Sequence, residues 1–248
     1  MKLQVFDNYD QVSRRAAEIV IEESRKHPQL VLGLATGSTP IGLYREMVQV
    51  YQRGQLDFSE ATTFNLDEYY PITPDHPQSF RRFMQEHLFD HVNIAPERIH
   101  FLSGTAADVE SECSRYEAAI EAAGGIDIQV LGIGENGHIG FNEPGTPFHL
   151  KTHKVALTEN TIQANSRFFE RIEDVPRHAL TMGISSIMRS RKILLLASGE
   201  KKAEAIKAAL QGPVTEELPA SVLQLHPDVT VMVDKTAATQ LEGVPYKA

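Results

Sequence analysis

The sequence predicts an α/β protein built on a parallel sheet with helices between the strands. Short apolar runs alternate with helix-period stripes from one end of the chain to the other. No repeat, low-complexity tract or Ser/Gly linker breaks that alternation. The residues richest in chemistry follow directly on the apolar runs, where the carboxyl ends of parallel strands bind ligands.

Taken in order, the runs suited to buried strands are residues 30–35, 62–66, 128–132, 179–182, 193–197 and 230–233. The first helix carries Val12, Ala16, Ile19 and Val20 on one stripe, and the second carries Ile41, Tyr44, Val48 and Tyr51. A third helix, over about residues 106–123, aligns Val109, Cys113, Tyr116 and Ile120, and Gly124-Gly125 stops it. Cys113 on that stripe reads as a small buried hydrophobe rather than a catalytic thiol.

At 248 residues and 42% hydrophobic content, the chain can bury its core as one large domain or as a domain with a small insertion. A single cysteine excludes an internal disulfide, and the start MKLQVFDNYD lacks the basic, then apolar, pattern of a secretory signal, so the chain reads as cytoplasmic. No window approaches the roughly 18 apolar residues of a membrane span. A formal net charge of −9 argues against nucleic acid as a partner, while leaving room for a small anion gripped by local donors.

Four strand ends carry chemistry. After the first run comes GLATGSTP, residues 33–40, with Thr39 suited to the N-cap and Pro40 to the first helical position. Gly37 allows a tight turn, and the hydroxyls of Thr36, Ser38 and Thr39 with nearby N–H groups suit a phosphate at the helix start; the pattern is neither a Walker loop nor a dinucleotide fingerprint. After the second run stand Asp67 and Glu68. Neighbours in extended chain face opposite ways, so one should face a pocket and the other hold the surrounding loop; a desolvated acid there is a usable proton acceptor. After the third run, GIGENGHIGFNEPG surrounds a histidine and a glutamate with glycines that let backbone pass close to a ligand. Zinc would need more ligands than one His and one Glu, so acid/base work fits better than a metal site. Near the fifth run, Lys201 and Lys202 begin a helix, where cations oppose the dipole and are better explained by a bound anion.

Together, GLATGSTP, NLDEY, GIGENGHIGFNEPG, TENTIQANSRFF, LTMGISSI and SGEKKAEAI resemble the glucosamine-6-phosphate deaminase family, in order and over nearly the whole chain. The resemblance implies a modified doubly wound, Rossmann-like fold with helices on both faces, a single domain over residues 1–248, and a lid at about 151–176, where the strand–helix rhythm breaks. It implies an amino-sugar phosphate as substrate and no cofactor. Carried over residue by residue, Asp67 resembles the base for the C2 proton, His138 the ring-opening catalyst and Glu143 the acid that orients it. Asn136 stands where longer members have aspartate, and an amide there acts as a hydrogen-bonding positioner. For the phosphate, the match points to Ser38, Thr39, Arg167 and Lys202. Longer members carry a C-terminal extension beyond the point matching Lys247-Ala248; monomer and homo-oligomer both stay open.

Two rivals remain at this stage. A 6-phosphogluconolactonase shares the general architecture, but its members resemble Gly-His-Thr-Ala-Ser-Leu-Phe-Pro after the histidine, where this chain has His138-Ile-Gly-Phe-Asn-Glu143-Pro. A non-catalytic sugar-phosphate sensor of a transcription regulator would want a helix-turn-helix segment, which the start of this acidic chain does not show.

Overall fold

A computed structural model describes residues 1–243, apart from the side chains of residues 160, 164, 165 and 168; Lys247-Ala248 lies outside the described residues. The chain runs β1 (Lys2–Phe6), α1 (Tyr9–Lys26), β2 (Val31–Leu34), α2 (Ile41–Gln52), β3 (Thr62–Asn65), β4 (Asp67–Tyr70), α3 (Phe80–His87), β5 (Ile99–His100), α4 (Val109–Ala122) and β6 (Ile128–Leu131). It continues with β7 (His153–Ala156), α5 (Glu159–Asn165), β8 (His178–Thr181), α6 (Ile184–Met188), β9 (Lys192–Ala197), α7 (Ala203–Gln211) and β10 (Val229–Asp234).

Seven strands form one parallel sheet in the order β1-β10-β9-β6-β2-β3-β5. The chain builds outward from β2 through β3 to β5, then returns to place β6 on the other side of β2. That reversal is a topological switch point, where the connections after two neighbouring strands part and leave a crevice. The central strands read as continuous apolar runs because both faces are covered. On β9, Leu194 and Leu196 join the core under α1 and α2, while Ile193, Leu195 and Ala197 join the core under α4, α6 and α7.

The expectation for residues 179–182 is corrected. That run is not a strand of the parallel sheet: β8 lies in a second, antiparallel sheet of order β4-β8-β7. An apolar run shows burial but not which partner it hydrogen-bonds. Here the chain leaves the parallel sheet at Leu66 and starts β4 at once, and β8 pairs with it so that Asp67 faces Thr181. The Met182 N–H donates to the Leu66 carbonyl at 2.7 Å, tying the small sheet to the large one at that step.

Two helix readings shift as well. The face that α2 buries centres on Leu43, Tyr44 and Met47, with Val48 and Tyr51 at its margin. α4 starts at Val109, where the Asp108 carboxylate accepts from the Ser111 N–H at 3.1 Å, and stops at Gly124 and Gly125, both at positive φ. The segment at 151–176, flagged by its broken rhythm, contains β7, α5 and two 3₁₀ turns. Leu157, Ile162 and Val175 of this segment are buried with Tyr69 and Phe141 in a third apolar cluster. Among the described residues no helix is long and apolar enough to cross a membrane.

Candidate active site

The loops after β9, β6 and β2 leave three adjacent strands at the same end of the sheet. A methyl group built on Gly132 would stand 3.8 Å from the Thr39 side chain, so the first and third of the sequence motifs meet across the switch point. Thr36 and Thr39 are half-buried, Ser38 and Gly37 are exposed, and Gly37 has the positive φ of 90° that the turn needs.

Thr39 does not cap α2, contrary to expectation. Helical geometry begins at Pro40, which makes no side-chain cap bond, and the capping is done from outside. The Tyr9 hydroxyl, at the start of α1, accepts the Gly42 N–H at 2.8 Å and lies 3.0 Å from the carbonyls of Ser38 and Thr39. The Thr39 hydroxyl is therefore not committed to the helix start. Tyr9 carried no sequence signal, because a tyrosine 29 residues from Ser38 shows no local pattern.

Lys202 closes a 3₁₀ turn, Glu200–Lys202, just before α7. Burial, then the charge of Lys201, lowers its ammonium pKa, and the Glu135 carboxylate opposes that shift. Its interaction with Glu135 places Lys202 near the loop that carries His138. The loop before it is held by Asp234 at the end of β10, which accepts from the Ser198 hydroxyl, from the Gly199 N–H at 3.1 Å and from the Ala237 N–H at 2.8 Å. Asp234 is a second residue that the strand-end motifs did not reveal.

Asp67 and Glu68 point apart. The Glu68 carboxylate accepts backbone N–H bonds from Tyr69 and Phe80 at 2.9 Å and from Arg81 at 3.0 Å, fastening the start of α3. Burial nevertheless raises its pKa to about 7 against those donors. Asp67 is 7% exposed, and burial, then the neighbouring Glu68 charge, raises its pKa to about 8. A methyl group on Gly140 would lie 3.7 Å from Asp67 Oδ2 and 3.0 Å from Thr181 Oγ1, so the Asp67 carboxyl abuts the His138 loop two residues beyond the imidazole.

Within that loop the imidazole packs against Gly134, where a methyl group would come within 2.2 Å of His138 Cε1 and displace the ring. Glu143 is 6% exposed and does not touch His138 at hydrogen-bond distance, since Nδ1 is 3.6 Å from Oε2. Asn136 stands between them. Its Nδ2 donates to Glu143 Oε2 at 2.7 Å, and its Oδ1 accepts from the His138 backbone N–H at 3.2 Å and faces Nδ1 at 2.7 Å. A carboxylate only accepts, so the amide nitrogen must face Glu143 and the amide oxygen must face the ring. Nδ1 then carries the proton, and in the neutral ring Nε2 is left with the lone pair. Burial pushes the Glu143 carboxyl up, but His138, the Thr161 hydroxyl and the Asn136 amide outweigh it and hold the pKa down at about 2.

The loop is clamped from β8: the Phe141 N–H donates to Thr181 Oγ1 at 3.1 Å, and Asn142 Nδ2 donates to the carbonyls of Ile139 and Met182 at 2.9 Å. Arg167 is exposed on the turn Ser166–Phe168 of the 151–176 segment. The large groove lined by Cys113, Glu117 and Lys151 is separate, since none of these proposed site residues lines it. Among the described residues, no three His, Cys, Asp or Glu side chains gather as metal ligands would.

Residues 7–232 match the family described as glucosamine-6-phosphate isomerases/6-phosphogluconolactonase. The chain belongs to this family. Within it, the sequence is 56% identical over 247 residues to the glucosamine-6-phosphate deaminase of Thermoanaerobacter pseudethanolicus, covering 100% of this chain and 98% of that one. A solved structure of a monomeric glucosamine-6-phosphate deaminase superposes with a TM-score of 0.94 at 48% identity, over 97% of this chain and 100% of the other. The 6-phosphogluconolactonase of Thermotoga maritima superposes at a TM-score of 0.75 and 20% identity, over 94% and 99%, a likeness of fold alone. Both branches of the family therefore share the sheet.

The titration of Asp67 makes a checkable difference to stability. Its carboxyl binds a proton more tightly folded, at about 8, than at the ordinary 3.8, so the folded chain carries the extra proton between about pH 4 and 8. Stability contributed by that proton is lost as pH rises through the window. Asp67→Asn, neutral throughout, is expected to be more stable than the parent at pH 9 and to show a flatter dependence from pH 4 to 8. Urea unfolding across that range measures it; equal slopes for the two proteins would contradict the assignment.

Proposed function

We propose that this chain isomerises and deaminates glucosamine 6-phosphate to fructose 6-phosphate and ammonia, a cytoplasmic step of amino-sugar breakdown. The reading is carried by the buried Asp67 carboxyl set against the loop that holds His138, Asn136 and Glu143. Lactone hydrolysis leaves the C2 hydrogen in place and has no need of a base sealed from water. The close relatives named as deaminases support the same branch.

The phosphate is read as bound by Thr36, Gly37, Ser38 and Thr39 with Lys202, and Arg167 supplies a bidentate fork from the 151–176 segment, which we read as a lid. His138 Nε2 takes the anomeric hydroxyl proton as the ring carbon–oxygen bond breaks and hands that proton on to the ring oxygen. Glu143, ionised and fixed through Asn136, stabilises the imidazolium formed in that step. The substrate's ammonium group beside Asp67 favours the carboxylate despite its raised pKa. Asp67 then removes the C2 hydrogen as a proton while the ammonium passes a proton to the C1 carbonyl oxygen, and the resulting enolamine takes the Asp67 proton at C1 to leave a C2 iminium. The C2 imine adds water and expels ammonia, so one water enters for each ammonia leaving, formally a hydrolase reaction. The C1 aldehyde released by ring opening is the electron sink for the C2 pair, and the substrate's own amine then forms the imine, so no Schiff-base lysine is needed.

Product analysis tests the whole reading: incubation with glucosamine 6-phosphate should release ammonia and fructose 6-phosphate in equal amounts, and hydrolysis of 6-phosphogluconolactone without ammonia release from the amino sugar would overturn it. Asp67→Asn should bind the sugar phosphate yet lose at least about a hundredfold in C2-hydrogen exchange with deuterated solvent, read by NMR; unchanged exchange would remove Asp67 from this role. For the lid, proteolysis of residues 151–176 should slow when a phosphosugar is added, and an unchanged cleavage rate would count against it.

A further inference from the structure

The bond between Glu143 and the 151–176 segment has no part in the chemistry above. Thr161 Oγ1, on α5, donates to Glu143 Oε1 at 2.7 Å, across 18 residues of chain. The other carboxylate oxygen is held by Asn136, so both oxygens are fixed and the plane of the carboxylate with them. At 6% exposure, Glu143 has little access to water as a substitute donor. Direction is also set. Thr158, the N-cap of α5, donates from Oγ1 to Thr161 Oγ1 at 3.0 Å, so the single Thr161 proton is directed to Glu143. Such chains polarise and strengthen each member. The next residue, Ile162, is buried in the cluster that includes Phe141 from the Glu143 loop, so undocking this segment breaks the apolar contact and the hydroxyl bond together.

We propose that Thr161, backed by Thr158, is a latch: it orients Glu143 for ring opening only while the 151–176 segment is docked, making Thr161 a positioning residue for the reaction. The inference rests on the functional reading above, and docking of the segment and readiness of the acid become one event. Withdrawal of α5 leaves Glu143 Oε1 without its donor, and the carboxylate is then free to turn away from the Asn136–His138 pair.

The test compares Thr161→Val, which removes the donor at nearly constant shape, with Thr161→Ser, which keeps it. Thr161→Val should lower kcat about ten- to a hundredfold, the range for losing a hydrogen bond to a charged group, with KM changed less than about threefold. Thr161→Ser should return kcat to within about threefold of the parent. In a Glu143→Ala background, Thr161→Val should cost less than about twofold more, because the group it orients is gone. Amide hydrogen exchange over residues 151–176 without ligand should quicken in both Thr161→Val and Glu143→Ala. Full kcat in Thr161→Val, or the same fold-loss in the Glu143→Ala background, would overturn the latch. Absence of ammonia release by the parent would overturn the functional reading instead; the exchange measurement would still decide whether Glu143 and Thr161 hold the segment. If Thr161→Val fails to fold, Thr158→Val serves in its place, with a smaller loss expected and parent-like kcat and exchange overturning the latch.

Discussion

A carboxyl group buried without a cation beside it is costly unless it is neutral, and the Asp67 site depends on how that cost is met. Asp67 is the first residue of β4, one residue after the chain has left the parallel sheet at Leu66. It can neither follow β3 outward into solvent nor turn freely, because β8 pairs with β4 from the start and the His138 loop closes over it at Gly140. The proton retained on Asp67 is the consequence. A group that holds its proton up to about pH 8 is also one that can exchange it near neutrality.

Three carboxyl groups in this small region show how environment separates identical chemistry. Asp67 is governed by burial. Glu68 is also buried, but three backbone N–H groups at the start of α3 moderate the shift and give it a structural duty. Glu143 is buried too, yet faces an imidazole, an amide and a hydroxyl, and it stays ionised. Pairs of acids pushed in opposite directions mark proton-transfer sites more clearly than acids alone do.

Glu143 joins its loop to the 151–176 segment, with Asn136 on one carboxylate oxygen and Thr161 on the other. As an amide, Asn136 donates to the acid and accepts from the ring at once, which a carboxylate in the same place could not do without carrying a proton. It fixes the histidine tautomer while leaving Glu143 Oε1 open to a donor from elsewhere, and the chain supplies that donor from α5.

The sequence by itself determined the parallel α/β architecture, because strands buried on both faces must be apolar throughout, and it located the chemistry-bearing segments that follow four of the apolar runs, because the glycines of the first and third have local backbone reasons. Alternation alone also separated Asp67 from Glu68. It placed residues 179–182 in the wrong sheet, since hydrophobicity reports burial and not pairing. Tyr9, Asp234 and Thr161 escaped notice because each acts on a segment 18 or more residues away, through a single hydroxyl or carboxylate that leaves no periodic trace. Only the tertiary structure decided that Asn136 bridges His138 and Glu143 and that the proton sits on Nδ1. Those are distances between side chains, and chain order does not fix them.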